Sequence, residues 1–265
     1  MIQKILLFRN LIDNIPKNVG LYMVGVILML ANHVSFDIWV IGFGLAAFLF
    51  SYSSIYVLND LFDIDEDMKS HKKTERKPLA KGTVKKNEAL VITVILLALG
   101  VFFSILLNMV FLGVVCILFF TNILYSVSSL RLKHTILGLP LVLIMQILKV
   151  LLPWTTSTEL IHFPTLFVLS FSLVYLMIFE GYKQNKTIGQ SIGGEPVLFG
   201  ASILILIASM LLYPSPLFQA AIMCYLLAGT VYFRNLHLTD RKVIILSPFY
   251  ILLGVFLFAY MIVYM

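Results

Sequence analysis

Long apolar stretches alternate with short polar connections along the whole chain, and this alternation predicts membrane helices. A helix needs about 20 mainly apolar residues to cross a bilayer. Nine such stretches run over roughly 17–33, 36–62, 87–107, 109–128, 135–153, 164–182, 194–213, 216–233 and 243–265. No polar segment between them is long enough for a separate soluble domain. We therefore expect an all-α, polytopic membrane helical bundle with about nine transmembrane helices.

The composition agrees with a membrane protein and excludes an ordinary soluble one. The chain is 60% hydrophobic and only 12% charged, with a mean hydropathy of +1.00. Its two cysteines, Cys116 and Cys224, lie inside apolar stretches without a neighbouring His or Cys, which predicts packing rather than metal binding. The net charge of +6 is of the sign that binds nucleic acid, but its distribution indicates membrane topology instead, so we predict no nucleic-acid partner.

Basic residues lie on alternate connections. All but one of the 19 Lys and Arg residues lie in the N-terminal segment or in the connections after spans two, four, six and eight. Because basic loops stay in the cytoplasm, this pattern predicts an integral membrane protein with a cytoplasmic N-terminus. The loops after the even-numbered spans would also be cytoplasmic, and the C-terminus would be on the opposite side.

An acidic run, Asn59-Asp60-Leu61-Phe62-Asp63-Ile64-Asp65-Glu66-Asp67, follows the second apolar span directly. Asp60, Asp63 and Asp67 have i, i+3, i+7 spacing, which places them on one face of a helix. Three neighbouring carboxylates repel one another unless a cation holds them, and hard oxygen ligands suit Mg²⁺. We interpret the run as a metal site for a diphosphate rather than a solvated helix end, because an apolar span leads into it.

Polar residues of the second span extend the same helical stripe. Tyr52, Tyr56 and Asn59 share it with the aspartates, so we expect a central cavity that opens to the cytoplasmic side. The basic connection 63–86 contains Lys73, Arg76 and Lys77, which we predict to form a lid that brings cations to the diphosphate. Attraction to anionic membrane lipid would also account for a basic connection at this place.

The spacing Asn59-Asp60-x-x-Asp63-x-x-x-Asp67, followed by Arg76-Lys77-Pro78-Leu79-Ala80-Lys81-Gly82, resembles the first signature of the UbiA superfamily of intramembrane prenyltransferases. Lys77 stands where Arg usually precedes the proline. The resemblance implies a single UbiA-type transmembrane domain over residues 1–265.

The resemblance also implies the reaction. Asp60, Asp63 and Asp67, supported by Asn59, would hold Mg²⁺ and so bind a prenyl diphosphate donor. An allylic cation would form in a dry, apolar chamber, and a lipophilic or aromatic acceptor would capture it. Tyr56 and the lid cations Lys73, Arg76 and Lys77 are the expected substrate contacts.

Further candidates lie later in the chain. The second aspartate motif of the superfamily is reduced here to Glu180, with Lys183 nearby, and we predict that Glu180 binds metal or substrate and that Lys183 contacts substrate. Lys149, inside the fifth apolar span, needs a partner there and is predicted to contact the donor phosphates as a catalytic residue. Arg131, in the loop after span four, is a further substrate-binding candidate.

The reduced second motif leaves other functions open. One branch of the superfamily transfers phosphoribose from phosphoribosyl diphosphate to a polyprenyl phosphate, and the segment His71-Lys72-Lys73-Thr74 with Pro78 matches its pattern in part. The same residues would also suit a terpene cyclase of the same fold, or a non-catalytic protein that binds prenyl lipids.

Overall fold

The described part of the chain is helical throughout, with short connections. The computed structural model describes residues 9–126, 137–157 and 163–176, together with residues 132, 135, 160 and 204. Its helices are α1 (Arg9–Ala31), α2 (Ile38–Phe62), α3 (Ile64–Asp67), α4 (His71–Arg76), α5 (Lys86–Leu107), α6 (Met109–Ser126), α7 (Gly138–Leu151) and α8 (Thr165–Tyr175), and a 3-10 turn (Leu152–Thr156) extends α7.

The helix bounds match most of the predicted spans that fall in this part. Within it, four helices are long and apolar enough to cross a membrane: α2, α5, α6, and α7 with its 3-10 turn. Helix α1 begins at Arg9, earlier than predicted, but its apolar part begins at Asn18, close to the predicted start. The three predicted spans after residue 193 lie outside the described residues except for residue 204, so the count of nine stays a prediction.

Local capping explains where several helices begin and end. His33 has a φ of 55°, and this left-handed residue ends α1 by turning the chain away from the helix axis. Asp37 then caps α2, since its Oδ1 accepts a hydrogen bond from the Trp39 backbone N–H at 2.7 Å. Asn108 separates α5 from α6 and its Oδ1 accepts from the Phe111 N–H at 2.7 Å. One residue therefore suffices for this turn.

Helix α5 shows how the bundle meets lipid. Its buried residues form a narrow stripe that includes the small residues Ala89, Gly100 and Ser104, which let α2 approach closely. Its opposite face exposes large apolar side chains: Leu90, Val91, Val94, Ile95, Leu99, Phe102, Ile105 and Leu106. An apolar face of this length is stable against lipid chains and unfavourable in water.

Helix α1 lies at the centre of the described core. Tyr22 is buried and donates its hydroxyl hydrogen to the Ile41 carbonyl at 3.1 Å, which joins α1 to α2. On another side, the indole N–H of Trp154 donates to the Gly25 carbonyl at 3.1 Å. The two hydrogen bonds give the buried polar groups of Tyr22 and Trp154 a partner inside the protein, which lipid could not provide. They hold α1 against the two elements that carry the candidate site.

Candidate active site

The acidic run begins in the last turn of α2 and continues through a break in the helix. The Asp63 N–H bonds to the Asn59 carbonyl at 3.0 Å and the Asp67 N–H to the Asp63 carbonyl at 2.8 Å, so the chain keeps a helical path. The break falls at Asp63, with φ −92° and ψ 2°. Asp60 and Asp67 are 4% and 1% exposed, whereas Asp63 is half-buried. Two carboxylates therefore face the protein interior.

Lys77 binds both buried carboxylates. Its Nζ lies 2.8 Å from Asp60 Oδ1 and 2.6 Å from Asp67 Oδ2, and its side chain is only 19% exposed. The position of Lys77 follows from α4, since the Lys77 N–H bonds to the Lys73 carbonyl at 2.9 Å at the end of that helix. Pro78 comes next, and its carbonyl accepts from the N–H groups of Thr83 and Val84, which close the turn. The basic connection thus brings Lys77 back to the end of α2, and its role as a lid stays a prediction.

Lys73 gives a weaker, more exposed contact to the same site. Its Nζ is 3.1 Å from Asp67 Oδ1 and 3.8 Å from Glu66 Oε1, with 48% of the Lys73 side chain exposed. Asp67 Oδ1 has this charged neighbour but no hydrogen bond of good geometry. A half-exposed ion pair contributes at most about 1 kcal/mol, so Lys77 is the stronger partner of the two.

The charge on Lys77 is favoured by its surroundings. Burial alone would lower the pKa of Lys77, but the negative charge of Asp60 and the hydrogen bonds to Asp60 and Asp67 together raise it above its ordinary value. Lys77 is therefore an ammonium ion at neutral pH. The pair of carboxylates has a cation between its members in this structure.

The carboxylate pair has the chemistry of a magnesium site. Among the described residues, no group of three or more His, Cys, Asp or Glu side chains is arranged to hold a metal, and two carboxylates, Asp60 and Asp67, converge on Lys77. Mg²⁺ commonly takes one or two protein carboxylates and completes its shell with water and substrate phosphate. Asp60 Oδ1 and Asp67 Oδ2 are buried and held around a cation, and the other Asp67 oxygen, Oδ1, lacks a good hydrogen bond, so the pair fits that requirement.

A chain of polar side chains runs from the aspartates into the bundle. Asn59 donates from Nδ2 to Asn122 Oδ1 at 3.3 Å, and Asn122 Nδ2 donates to the Tyr52 hydroxyl at 3.3 Å. The Asn122 amide also lies 2.8 Å from Met145 Sδ on α7. These bonds tie α2, α6 and α7 together beside the acidic run.

The inner end of this polar chain is the fully buried Lys149. Its Nζ lies 4.2 Å from the centre of the Tyr52 ring, within the range of a cation–π contact. Tyr52 precedes Asp60 by eight residues, which is about 12 Å along a helix. The Tyr52 ring packs edge-on against Tyr56, whose hydroxyl accepts from Asn18 Nδ2 at 3.2 Å. The predicted tyrosine stripe therefore lines an interior polar region shared by four helices.

Comparison with known proteins identifies the fold and the family. The chain matches the model of the UbiA prenyltransferase family over residues 19–265. It belongs to this family. A search of curated proteins found no match. The predicted superfamily and the predicted enzyme class, prenyltransferase, are confirmed.

Solved structures agree in fold at low sequence identity. A UbiA homolog from Archaeoglobus fulgidus bound to GPP and Mg²⁺ has a TM-score of 0.68 at 12% identity, with 96% of this chain and 99% of that chain covered. A structure of digeranylgeranylglyceryl phosphate synthase in membranes gives 0.62 at 17% identity, covering 98% and 97%. The apo UbiA homolog from Aeropyrum pernix K1 gives 0.61 at 15%, covering 96% of each chain.

Arg76, Arg131, Glu180 and Lys183 are the remaining predicted site residues of this UbiA-family protein. Arg76 is the last residue of α4, one position before Lys77. Arg131, Glu180 and Lys183 lie outside the described residues, so their predicted roles stay predictions. His71, the residue in the partial phosphoribosyl-type pattern, has a side chain that is 90% exposed and lies 3.8 Å from Glu75.

Two buried amides were missed in the sequence. Asn18 and Asn122 join the tyrosine stripe to α1 and α6, and neither was among the predicted site residues. The signal was present for Asn122, because it lies inside an otherwise apolar span where an amide requires a protein partner. Asn18 follows Lys17 at the start of a span, and in the sequence this pair only faintly resembles the lysine-asparagine pair of the phosphoribosyl-transferring branch.

Proposed function

We propose that this UbiA-family protein is a Mg²⁺-dependent intramembrane prenyltransferase that moves an isoprenyl group from a prenyl diphosphate to a lipophilic or aromatic acceptor. The observation that carries the proposal is that the buried carboxylates of Asp60 and Asp67 converge at the end of a membrane helix, where both bind the Lys77 ammonium. Buried carboxylates at such a position are costly unless they serve a cation. The family match supplies the chemistry of the transferred group.

The carboxylates are the proposed metal ligands. Asp60 and Asp67 would bind Mg²⁺ directly, with Asp63 and Asn59 supplying further oxygen atoms, and Glu180 is the candidate for a second ion. The Archaeoglobus fulgidus homolog of the same fold, which binds GPP and Mg²⁺ together, supports this assignment. When bound, the metal would neutralise negative charge that develops on the departing diphosphate.

The chain's own cations would share that task. Lys77 and Lys73 already lie at the carboxylates, and either ammonium can donate hydrogen bonds to phosphate oxygens. Arg76 is one residue from Lys77 and is the third proposed contact. Arg131 and Lys183 remain candidates for substrate binding. These groups would hold the diphosphate in place while its carbon–oxygen bond breaks.

The polar region behind the carboxylates is the proposed reaction chamber. Tyr52 and Tyr56 present aromatic surface there, which stabilises a cationic isoprenyl group and excludes water. Lys149 on α7 contacts the ring of Tyr52, which precedes Asp60 by about 12 Å along α2, so its proposed contact is to a ligand that extends inward from the metal site. A polar group of the acceptor meets that condition.

The membrane arrangement completes the proposal. The whole of residues 1–265 would form one UbiA-type domain with nine spans, a cytoplasmic N-terminus and a C-terminus on the other side. The site would open to the cytoplasm, where the charged diphosphate is made, and the prenyl chain would lie against membrane lipid. Reporter fusions after residues 70 and 265 test this directly, since opposite cytoplasmic accessibility is expected at the two points.

Pyrophosphate release by the purified protein is the decisive experiment. The protein in lipid nanodiscs would be incubated with Mg²⁺ and a panel of prenyl diphosphates plus phosphoribosyl diphosphate, with aromatic and lipid acceptors. We expect release from a prenyl donor, and loss of release in Asp63→Ala and Asp67→Asn. The matched control is Asp65→Asn, which removes the same charge from an exposed position of α3.

The same panel separates prenyl transfer from the competing functions. If phosphoribosyl diphosphate is the one donor from which pyrophosphate is released, the protein is a phosphoribosyltransferase rather than a prenyltransferase. Release from a prenyl donor without any acceptor, accompanied by a cyclic hydrocarbon or alcohol, would indicate a cyclase. Mg²⁺-dependent donor binding without pyrophosphate release would indicate a prenyl-lipid-binding protein.

A further inference from the structure

We propose that Lys77 is an internal counter-ion that competes with Mg²⁺ for Asp60 and Asp67 and moves to the donor diphosphate when the metal binds. The proposal rests on the proposed function, because it takes Mg²⁺ as the metal and a diphosphate as the substrate group. It adds an order of events: the metal site is closed by a residue of the protein until metal and donor arrive.

The distances leave room for one cation between the two carboxylates. Lys77 Nζ is 2.8 Å from Asp60 Oδ1 and 2.6 Å from Asp67 Oδ2, so it lies between the oxygen atoms that a bridging metal would use. Mg²⁺ binds oxygen at about 2.0–2.1 Å. A metal ion bridging these oxygen atoms would therefore overlap the ammonium group. Lys77 and Mg²⁺ can occupy this place only alternately.

The side chain of Lys77 can move without the helices that carry the aspartates. Its ammonium is a point charge on four flexible methylene groups. The residue itself lies in extended backbone between the end of α4 and the turn at Pro78. Rotation of the side chain can therefore move Nζ by several ångströms while Asp60 and Asp67 stay in place.

The diphosphate gives the displaced ammonium a new partner. Mg²⁺ alone must break two charge-assisted hydrogen bonds of Lys77 and leave that cation beside a second cation. Mg²⁺ with a diphosphate instead offers phosphate oxygens that can accept the same hydrogen bonds. Metal and diphosphate should therefore bind with positive coupling, and each should raise the affinity for the other by the same factor.

Lys73 cannot fill the same role. Among the predicted metal ligands that the structure describes, Lys73 contacts only Asp67, at 3.1 Å, and its side chain is about half exposed. Its departure would leave Asp60 still bound to Lys77. The bridging geometry therefore assigns the competition to Lys77.

Mg²⁺ binding without donor tests the competition with no need for turnover. Calorimetric titration of the purified protein with Mg²⁺ would compare the wild type with Lys77→Met, which keeps the length of the side chain and removes its charge. We expect Lys77→Met to bind Mg²⁺ about tenfold to a hundredfold more tightly, since hydrogen bonds to charged groups contribute about that factor. Equal affinity in the two proteins would overturn the proposal.

Two controls test whether a gain in Mg²⁺ affinity arises at Asp60 and Asp67. Lys81→Met removes the same charge four residues along the chain at an exposed position, and it should leave Mg²⁺ affinity within about twofold of wild type. Adding Asp67→Asn to Lys77→Met should cancel the gain. A gain in Lys81→Met as large as in Lys77→Met would indicate general electrostatics and would also overturn the proposal.

A second measurement uses only the wild-type protein, in case Lys77→Met does not fold. The extent of acylation of Lys77 by an amine-reactive reagent would be compared with that of exposed Lys81 by mass spectrometry. In EDTA, Lys77 should react slowly; Mg²⁺ should raise its reactivity relative to Lys81, and pyrophosphate added with Mg²⁺ should lower it again. No rise with Mg²⁺ would overturn the exchange.

These readouts are independent of the transfer reaction. A Mg²⁺ gain in Lys77→Met without any pyrophosphate release from prenyl donors would retain the exchange and reject prenyl transfer. Prenyl transfer that depends on Asp67, together with equal Mg²⁺ affinity in wild type and Lys77→Met, would retain prenyl transfer and reject the exchange.

Discussion

The close approach of α2 and α5 gives the sharpest test of the structure. An added Cβ at Gly100 would touch Ser51 Oγ and lie 2.7 Å from the Ser51 backbone nitrogen and 3.0 Å from its Cα. Ordinary contacts of a Cβ begin at 3.4 Å. Because two of the three atoms belong to the α2 backbone, no rotation of a side chain relieves the contact. Gly100→Ala should therefore push α5 and α2 apart.

The magnitude follows from two opposing effects. Overpacking of a tight site costs about 1–3 kcal/mol. Replacing a helical glycine by alanine stabilises the helix by about 1 kcal/mol. Gly113→Ala in α6 is the matched control, since an added Cβ there meets no atom of the described residues within 4 Å. The difference between the two variants, about 1–3 kcal/mol, isolates the cost of the contact with Ser51.

Thermal unfolding in one detergent is the assay. Each kcal/mol corresponds to roughly 2–4 °C in the unfolding midpoint of a chain of this size. We expect Gly113→Ala to unfold at or above the wild-type midpoint and Gly100→Ala several degrees below Gly113→Ala. Equal midpoints for the two variants would show that α2 and α5 are farther apart than described, and the position of the acidic run against the bundle would then be wrong.

Three further predictions concern the polar chain and the core. Lys149→Met should raise the apparent KM for the acceptor in steady-state kinetics by about tenfold through loss of a charge-assisted contact, and an unchanged KM would place Lys149 outside acceptor binding. Asn122→Leu removes the amide that bonds Tyr52 and should lower the free energy of unfolding by about 1–3 kcal/mol in denaturant titration; full stability would mean that water or another group replaces the amide. Trp154→Phe deletes the indole N–H that bonds the α1 backbone and should cost about 0.5–1.5 kcal/mol in the same titration, whereas no loss would argue against that bond.

The membrane spans could be predicted from the sequence because lipid offers no hydrogen-bond partners to the backbone. Backbone polar groups must be satisfied within each segment, so apolar length alone locates a helix. The bounds of α2, α5 and α6 accordingly match the predicted spans within a few residues. The start of α1 was missed because its first turns are polar, and apolar length does not report a helix that extends beyond the lipid.

The candidate site was predictable in its residues and not in its contacts. The spacing of Asp60, Asp63 and Asp67 predicted one helical face, and the structure brings Asp60 and Asp67 together on Lys77 with a helix break at Asp63 between them. Helical periodicity assumes unbroken geometry, and a break of one residue is invisible to it. The contact of Lys77 with both carboxylates also depends on the end of α4 and the turn at Pro78, which together set where its backbone lies.

The presence of lysine rather than arginine before Pro78 matters for a cation that must leave. A guanidinium can bind two carboxylate oxygens through a rigid planar fork, which gives strong and geometrically specific pairing. An ammonium binds as a compact charge and keeps its freedom to rotate toward a new anion. At this position arginine would favour a fixed acidic pair, and lysine favours exchange with an incoming metal. Lys77→Arg should therefore bind Mg²⁺ no more tightly than wild type even though Lys77→Met binds it better.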